Sequence, residues 1–339
     1  MFNTIGHIFS LTAFGESHGA AVGGVVDGCP AGLAIDFELI KSELRRRVCG
    51  GRGVSSRKEA DEVEFLSGIA DGVTLGTPIA FIVRNTDCKS SDYDALRDVF
   101  RPSHADYTYF VKYGVRDYRG GGRASGRTLL PCVVAGAIAK QVLALSGVSV
   151  STSVTRMGER CSQGFTQSEI EGILLDVGAA GDTVGAEVSG VIHNVPPGIG
   201  EPVFHKFQAE LASAMFSINA AKGFEYGEGF RAASMRGTEC NDAFISNGDG
   251  GIDIATNHSG GIQGGITNGK DVTFRVAFKP IPSVMTEQET VNTSGESVKI
   301  KIGGRHDVCV VPRVLPIVEA MAAMVTLDFI MLKRTNGIL

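Results

Sequence analysis

The seven cysteines include no Cys-x-x-Cys pair, are odd in number, and lie scattered from Cys29 to Cys309. That excludes a disulfide framework and reads as a reduced, cytoplasmic protein. It also argues against a structural zinc site, since only His306 and Cys309 stand at ligand spacing and no second pair completes a tetrahedron. The opening MFNTIGHIFSLTAFGESHG lacks a basic stretch and a small-residue cleavage site, so no signal peptide is expected. No long apolar run is unbroken: Lys140 interrupts Leu129 to Val148, and Pro316, Glu319 and Asp328 interrupt Val311 to Leu332. Both are expected as core helices too polar to span a membrane. With no linker, charge run or fixed repeat period, residues 1–339 are expected to form a single domain.

What the chain has is glycine and locally concentrated arginine. Its 339 residues are 43% hydrophobic, enough for a large core, and its 45 glycines often come in pairs that mark tight turns. The formal net charge is -5, yet five arginines, His104 and three consecutive glycines fall within RPSHADYTYFVKYGVRDYRGGGRASGR, residues 101–127. An acidic protein that gathers arginine in one place is built for a compact polyanion rather than for nucleic acid or an anionic membrane. Guanidinium forks suit phosphate and carboxylate, glycine admits backbone N–H groups close to a ligand, and histidine adds proton chemistry.

The pattern predicts mixed α and β structure. Strands are expected over Ile5–Phe14, Ala20–Val26, Thr74–Val83, Val148–Met157, Val184–Val195, Phe230–Met235 and Val272–Phe278. Helices are expected from an Asp36 cap to Arg47, and over Val133–Leu145, Ser168–Val177, His205–Phe216 and Pro316–Lys333. Arg45 to Arg47 would leave the first helix and enter a loop.

Gly15-Glu16-Ser17-His18-Gly19 matches the G-x-S-x-G nucleophile elbow of serine hydrolases, but an elbow leads from strand to helix. The AAVGGVVDGCP that follows is too rich in glycine and β-branched residues for a helix. A fluorophosphonate probe is therefore not expected to label Ser17. His18 and His104, each in a loop dense with small or basic residues, fit a pair of general acids at opposite ends of one reaction.

Six blocks, GESHGAAVGGVVDGCPAG, RPSHADYTY, YGVRDYRGGGRASGR, SINAAKG, NHSGGIQGGI and GRHDVC, together resemble the chorismate synthase family, in order and over nearly the whole chain. The resemblance implies a large βαβ sandwich, an α/β (α+β) fold with antiparallel sheets flanking a central helical layer, assembled as a homotetramer. It implies a lyase that converts 5-enolpyruvylshikimate 3-phosphate to chorismate, with reduced FMN required but not consumed. NADPH is a candidate reductant, and a separate flavin reductase is the other. By the same resemblance His18 protonates the reduced flavin and His104 the departing phosphate, roles that ask for a pKa near neutral. Asp307 works with the flavin as the group receiving the substrate proton; in isolation it reads as a salt-bridge partner of Arg305. Flavin binding falls on Arg123, Ala124, Ser125, Asn219, Ala220, Gly264, Lys279, Pro280, Ile281, Pro282, Ser283 and Arg305. Ser17, Arg46, Arg52 and Arg127 fall at substrate or NADPH positions. Three departures from the family pattern stand out: Gly126-Arg127-Thr128 for alanine, arginine and glutamate, Pro282 for serine, and Val308 for proline. A noncatalytic flavin-binding or nucleotide-binding protein, the alternative, would need neither His18, His104 nor Asp307.

Overall fold

The computed structural model describes residues 3–48, 61–86, 94, 96–248, 250–301 and 307–335. Arg52, Arg305 and His306 lie outside them.

Two five-stranded antiparallel sheets form the outer layers. The first runs, in spatial order, Thr4–Ile5, Ser10–Gly15, Ala21–Asp27, Ile79–Arg84, Val63–Phe65. The second runs Ala221–Tyr226, Val272–Phe278, Ala186–His193, Ser149–Met157, Arg160–Cys161. Strand Ala186–His193 alternates buried and half-buried positions along its length, the period-two signature of a sheet with one face on the core.

The helices are α1 (Phe37–Val48), α2 (Asp106–Tyr113), α3 (Leu130–Ala144), α4 (Gln167–Ala179), α5 (Phe207–Phe216), the single turn α6 (Gly237–Cys240) and α7 (Leu315–Thr335). Between the sheets, α3 packs on the first and α7 on the second, and the two pack on each other. Their sequences have no polar face because they are buried all round: every residue from Pro316 to Phe329 of α7 is buried. Residues 126–144 and α7 are long and apolar enough to cross a membrane, contrary to the expectation from their interruptions, but 78% of each window is buried in the protein core. Contact is closest at Gly136 of α3, where a Cβ would lie 2.2 Å from the Cβ of Ala320. The family's sandwich with a helical centre is the observed architecture.

Several expected elements differ. The strand expected over Thr74–Val83 is two: Val73–Thr74 pairs with Ile69–Ala70, and Ile79–Arg84 enters the main sheet after a turn through Gly76 at φ +76°. Ile5–Phe14 is interrupted at residues 7–9, whose three backbone N–H groups donate to the Asp328 carboxylate instead of to a sheet neighbour. Phe230–Met235 is mostly a 3₁₀ turn, Gly229–Ser234, and the edge strand is the preceding Ala221–Tyr226, whose Gly223 and Lys222 hide its strand character. Helix α2 has no counterpart among the expected helices. Arg45 to Arg47 sit in the last turn of α1, not beyond it. The Asp36 cap is present, with its Oδ1 accepting from the Leu39 N–H at 2.9 Å.

Candidate active site

The GESHG segment is the turn between two antiparallel strands, Ser10–Gly15 and Ala21–Asp27, so no helix follows it as an elbow would require. Asn85 Nδ2 pins the turn by donating to the carbonyls of Glu16 and Gly19. Ser17 and His18 are 3% and 9% exposed, and Ser17 Oγ lies 3.2 Å from His18 Nδ1. A glycine backbone is packed directly on this ring: a Cβ on Gly120, at φ +63°, would fall 2.2 Å from His18 Cε1. Gly120, the first of the three consecutive glycines, is therefore what allows the chain to pass over the histidine.

Past that crossing the chain turns through two short 3₁₀ segments, and Ser125 caps the second by accepting from the Arg127 N–H. Asn219 Nδ2 donates to the Ala124 carbonyl at 2.8 Å, joining two blocks 95 residues apart. Ala220, at φ +68°, accepts from the Lys279 N–H at 2.9 Å, and Lys279 Nζ donates to the Ser103 carbonyl at 3.0 Å. Beside it, His104 Nε2 meets Ser283 Oγ at 3.2 Å, while Nδ1 meets the Pro102 carbonyl at 3.0 Å. A carbonyl only accepts, so Nδ1 carries the hydrogen, and in the neutral ring Nε2 accepts from the serine hydroxyl. Ile281 lends its carbonyl to Thr183, and Pro280 and Pro282 shape the same segment.

Electrostatics single out His104. Burial, then the Arg101 charge, push its pKa down to about 4, with Lys279 adding to the effect. This corrects the expectation of a near-neutral imidazole in the ligand-free protein. Lys279 is itself pulled below its ordinary value by desolvation and by nearby Lys222. A neutral histidine beside two cationic side chains, Arg101 and Lys279, is a place that attracts an anion, and a bound dianion would raise its basicity.

The arginines of residues 101–127 are not a bare clamp. Arg101 is bidentate with Asp106, both bonds at 2.8 Å, and Arg116 donates to three carbonyls at residues 96, 97 and 99. Arg119 pairs with Asp117, Arg123 reaches the carbonyls of Ala13 and Gly15, and Arg127 joins Asp61, the Asn85 side chain and the Arg84 carbonyl. Their principal observed work is to tie loops to sheets. At Arg46, expected at a substrate or NADPH position, both Nη atoms bond Glu319 at 2.6 Å, within a network completed by Glu43 and Lys140. No local pattern reports such a network, because its members come from α1, α3 and α7.

Asp307 is a salt-bridge partner of Arg313, whose Nε lies 3.0 Å away; the expected pairing with Arg305 falls outside the described residues. Arg313 also donates to the Arg47 carbonyl, and Arg47 donates to the Gly126 carbonyl, which links Asp307 to the loop after the triple glycine. Gly264, at φ +64°, turns the small hairpin of residues 262–267, which packs on Lys206 at the start of α5. Among the described residues, no hydrogen bond joins that hairpin to the His104 cluster. Ser283 as partner of His104, and Lys222 as neighbour of Lys279, are the additions that sequence alone does not reveal.

The family model described as chorismate synthase matches residues 9–331. A chorismate synthase of Bacteroides thetaiotaomicron is 51% identical, covering 99% of both chains, and one of Parabacteroides distasonis is 51% identical over 98% of this chain and 99% of its own. A crystal structure of a chorismate synthase superposes with a TM-score of 0.76 at 29% identity, covering 98% of this chain and 94% of that one.

Proposed function

Because this chain belongs to the chorismate synthase family, we propose which of its residues carry the family's reaction. The protein is a lyase of the shikimate pathway, and its reaction is the elimination of phosphate and a proton, in a 1,4 relationship, from 5-enolpyruvylshikimate 3-phosphate. Chorismate, the precursor of the aromatic amino acids, is the product. A reduced flavin is required.

His104 is the acid that protonates the departing phosphate, and the observation that carries this reading is its setting. An imidazole held neutral by burial and then by the Arg101 and Lys279 charges, with Nε2 aimed at a serine hydroxyl, gains a proton when a phosphate dianion arrives. Arg101 and Lys279 then neutralise the leaving group. Ser283 keeps the ring oriented. His18, fixed by Ser17 and the Gly120 backbone, serves the other end of the reaction as a proton donor toward the flavin. Asp307, oriented by Arg313, takes part in receiving the substrate proton.

The flavin is FMN. Lys279, Lys222 and Ser125 supply the cationic and hydroxyl groups a flavin phosphate needs, and the open space beside Gly126 and Gly264, where a Cβ would meet nothing within 4 Å, leaves room for it. Asn219, Ala220, Arg123 and Ala124 complete that wall. When bound, reduced FMN supplies electron density that eases loss of the phosphate and is recovered within the cycle.

NADPH or a separate flavin reductase keeps the flavin reduced. The cytoplasm supplies both and matches the reduced cysteines. Exposed Phe204, Phe230, Phe244 and Ile252 would be covered in a homotetramer, which light scattering on the purified protein tests.

In an anaerobic assay with chemically reduced FMN, substrate is expected to convert to chorismate, with His104→Ala lowering turnover by about 10²-fold or more. Unchanged turnover in that variant would remove His104 from the mechanism. Aerobic turnover with FMN and NADPH alone decides between self-reduction and an outside reductase.

A further inference from the structure

The outer face of the second sheet carries a constellation unrelated to the site above. Ser151, His193 and Asp271 come from three neighbouring strands, or the residue just before one, and their side chains face solvent. His193 Nδ1 lies 2.9 Å from Asp271 Oδ2, and His193 Nε2 lies 2.8 Å from Ser151 Oγ. An ionised carboxylate only accepts, so Nδ1 carries the hydrogen and Nε2 presents its lone pair to the serine hydroxyl. The carboxylate is itself held: Asp271 Oδ1 accepts from the Asn194 N–H at 3.1 Å, and Asn194, at φ +59°, donates its side-chain amide to the Gly147 carbonyl. Orienting acid, base and hydroxyl stand in the order and at the spacings that activate a serine. The buried Ser17 and His18 pair differs on each count, since it uses Nδ1 of an adjacent residue and is shut from solvent.

We propose that Ser151 is a second, surface nucleophile, activated by His193 and Asp271, which takes small activated esters and organophosphonates. Ser151 Oγ forms a bond to the carbonyl carbon as its proton passes to His193 Nε2. The aryl oxide leaves and takes that proton, leaving an acyl serine. Water then attacks the acyl carbon, giving its proton to His193, and the serine oxygen departs and recovers it, releasing a carboxylic acid. With a fluorophosphonate the Oγ–P bond forms, fluoride leaves with the proton, and the adduct persists. The three side chains lie on an open sheet face, so selectivity for the acyl group is low and only substrates with good leaving groups react.

The test treats the intact protein with a fluorophosphonate probe and maps the adduct by mass spectrometry, with the p-nitrophenyl acetate burst as a second readout. One adduct at Ser151 is expected. It should be lost in Ser151→Ala and form about 10²-fold more slowly in His193→Gln, while both variants keep wild-type chorismate formation, which shows that they are folded. No adduct at Ser151, adduct formation indifferent to His193→Gln, or labelling confined to Ser17 would each overturn the proposal.

Discussion

Glu319 offers the sharpest test of how the helical layer is held together. Its carboxylate, on a residue only 4% exposed, accepts from Arg46 twice at 2.6 Å, from Lys140 at 2.6 Å and from Thr152 at 2.7 Å. Burial by itself would raise the carboxyl pKa, but the Arg46 hydrogen bonds and the Lys140 charge outweigh it and hold the group at about 2. Against an ordinary glutamate near 4.3, that difference corresponds to about 3 kcal/mol of folding stability. Breaking a buried ion pair from one side costs a similar amount, about 3–5 kcal/mol. Glu319→Gln, which keeps the shape and removes the charge, should therefore lower stability by about 3 kcal/mol at pH 7. With a urea m-value of about 3 kcal/mol/M, the unfolding midpoint followed by circular dichroism falls by about 1 M. The sign with pH follows from a folded-state pKa lying below the unfolded one. The stabilisation is complete above about pH 5 and is lost as pH falls toward 2, so wild type and variant should converge in acid. Equal midpoints at pH 7, or a gap that stays constant down to pH 3.5, would refute the reasoning.

Arg46→Ala should show the same acid-convergent loss of stability, with KM unchanged per folded molecule; a raised KM at intact stability would return Arg46 to the substrate. Asn219→Ala removes the bond to the Ala124 carbonyl and should weaken reduced-flavin affinity about 5-fold to 10-fold, roughly 1 kcal/mol, read by fluorescence titration. Gly120→Ala drives a methyl into the His18 ring and should cost activity far more than it changes the unfolding midpoint, whereas Gly172→Ala in α4, with open space around it, should leave activity untouched. His104 in the ligand-free protein should remain neutral by NMR down to about pH 5. Because its folded pKa lies below the ordinary histidine value, it withdraws stability as pH falls from about 6.5 toward 4, and phosphate should move its titration upward.

The sequence made some features readable because they are local. The Asp36 cap and the strand Val272–Phe278 follow from capping chemistry and side-chain alternation, and the helices α3 and α7 from the length of their apolar runs, all of which are local to a stretch of chain. The six blocks that mark the family are contiguous stretches and needed no fold. Elements that conflict with their own propensities were hidden: Ala221–Tyr226 pairs as an edge strand despite Gly223, because Val272–Phe278 supplies its hydrogen bonds. Helix α2, rich in aromatic residues, ends on Gly114 in the left-handed region and is held at its start by Asp106, which bonds Arg101.

By itself the sequence determined the family, the sandwich of sheets and helices, and the two histidines worth testing. Only the tertiary structure decided the partners: Asp307 with Arg313, Arg46 with Glu319, His104 with Ser283 across 179 residues of chain. A guanidinium has the same appetite for a substrate phosphate as for a buried carboxylate. Which one it meets depends on through-space distances that carry no period along the chain, and those distances assigned the arginines of residues 101–127 to the scaffold as well as to the charge of the site.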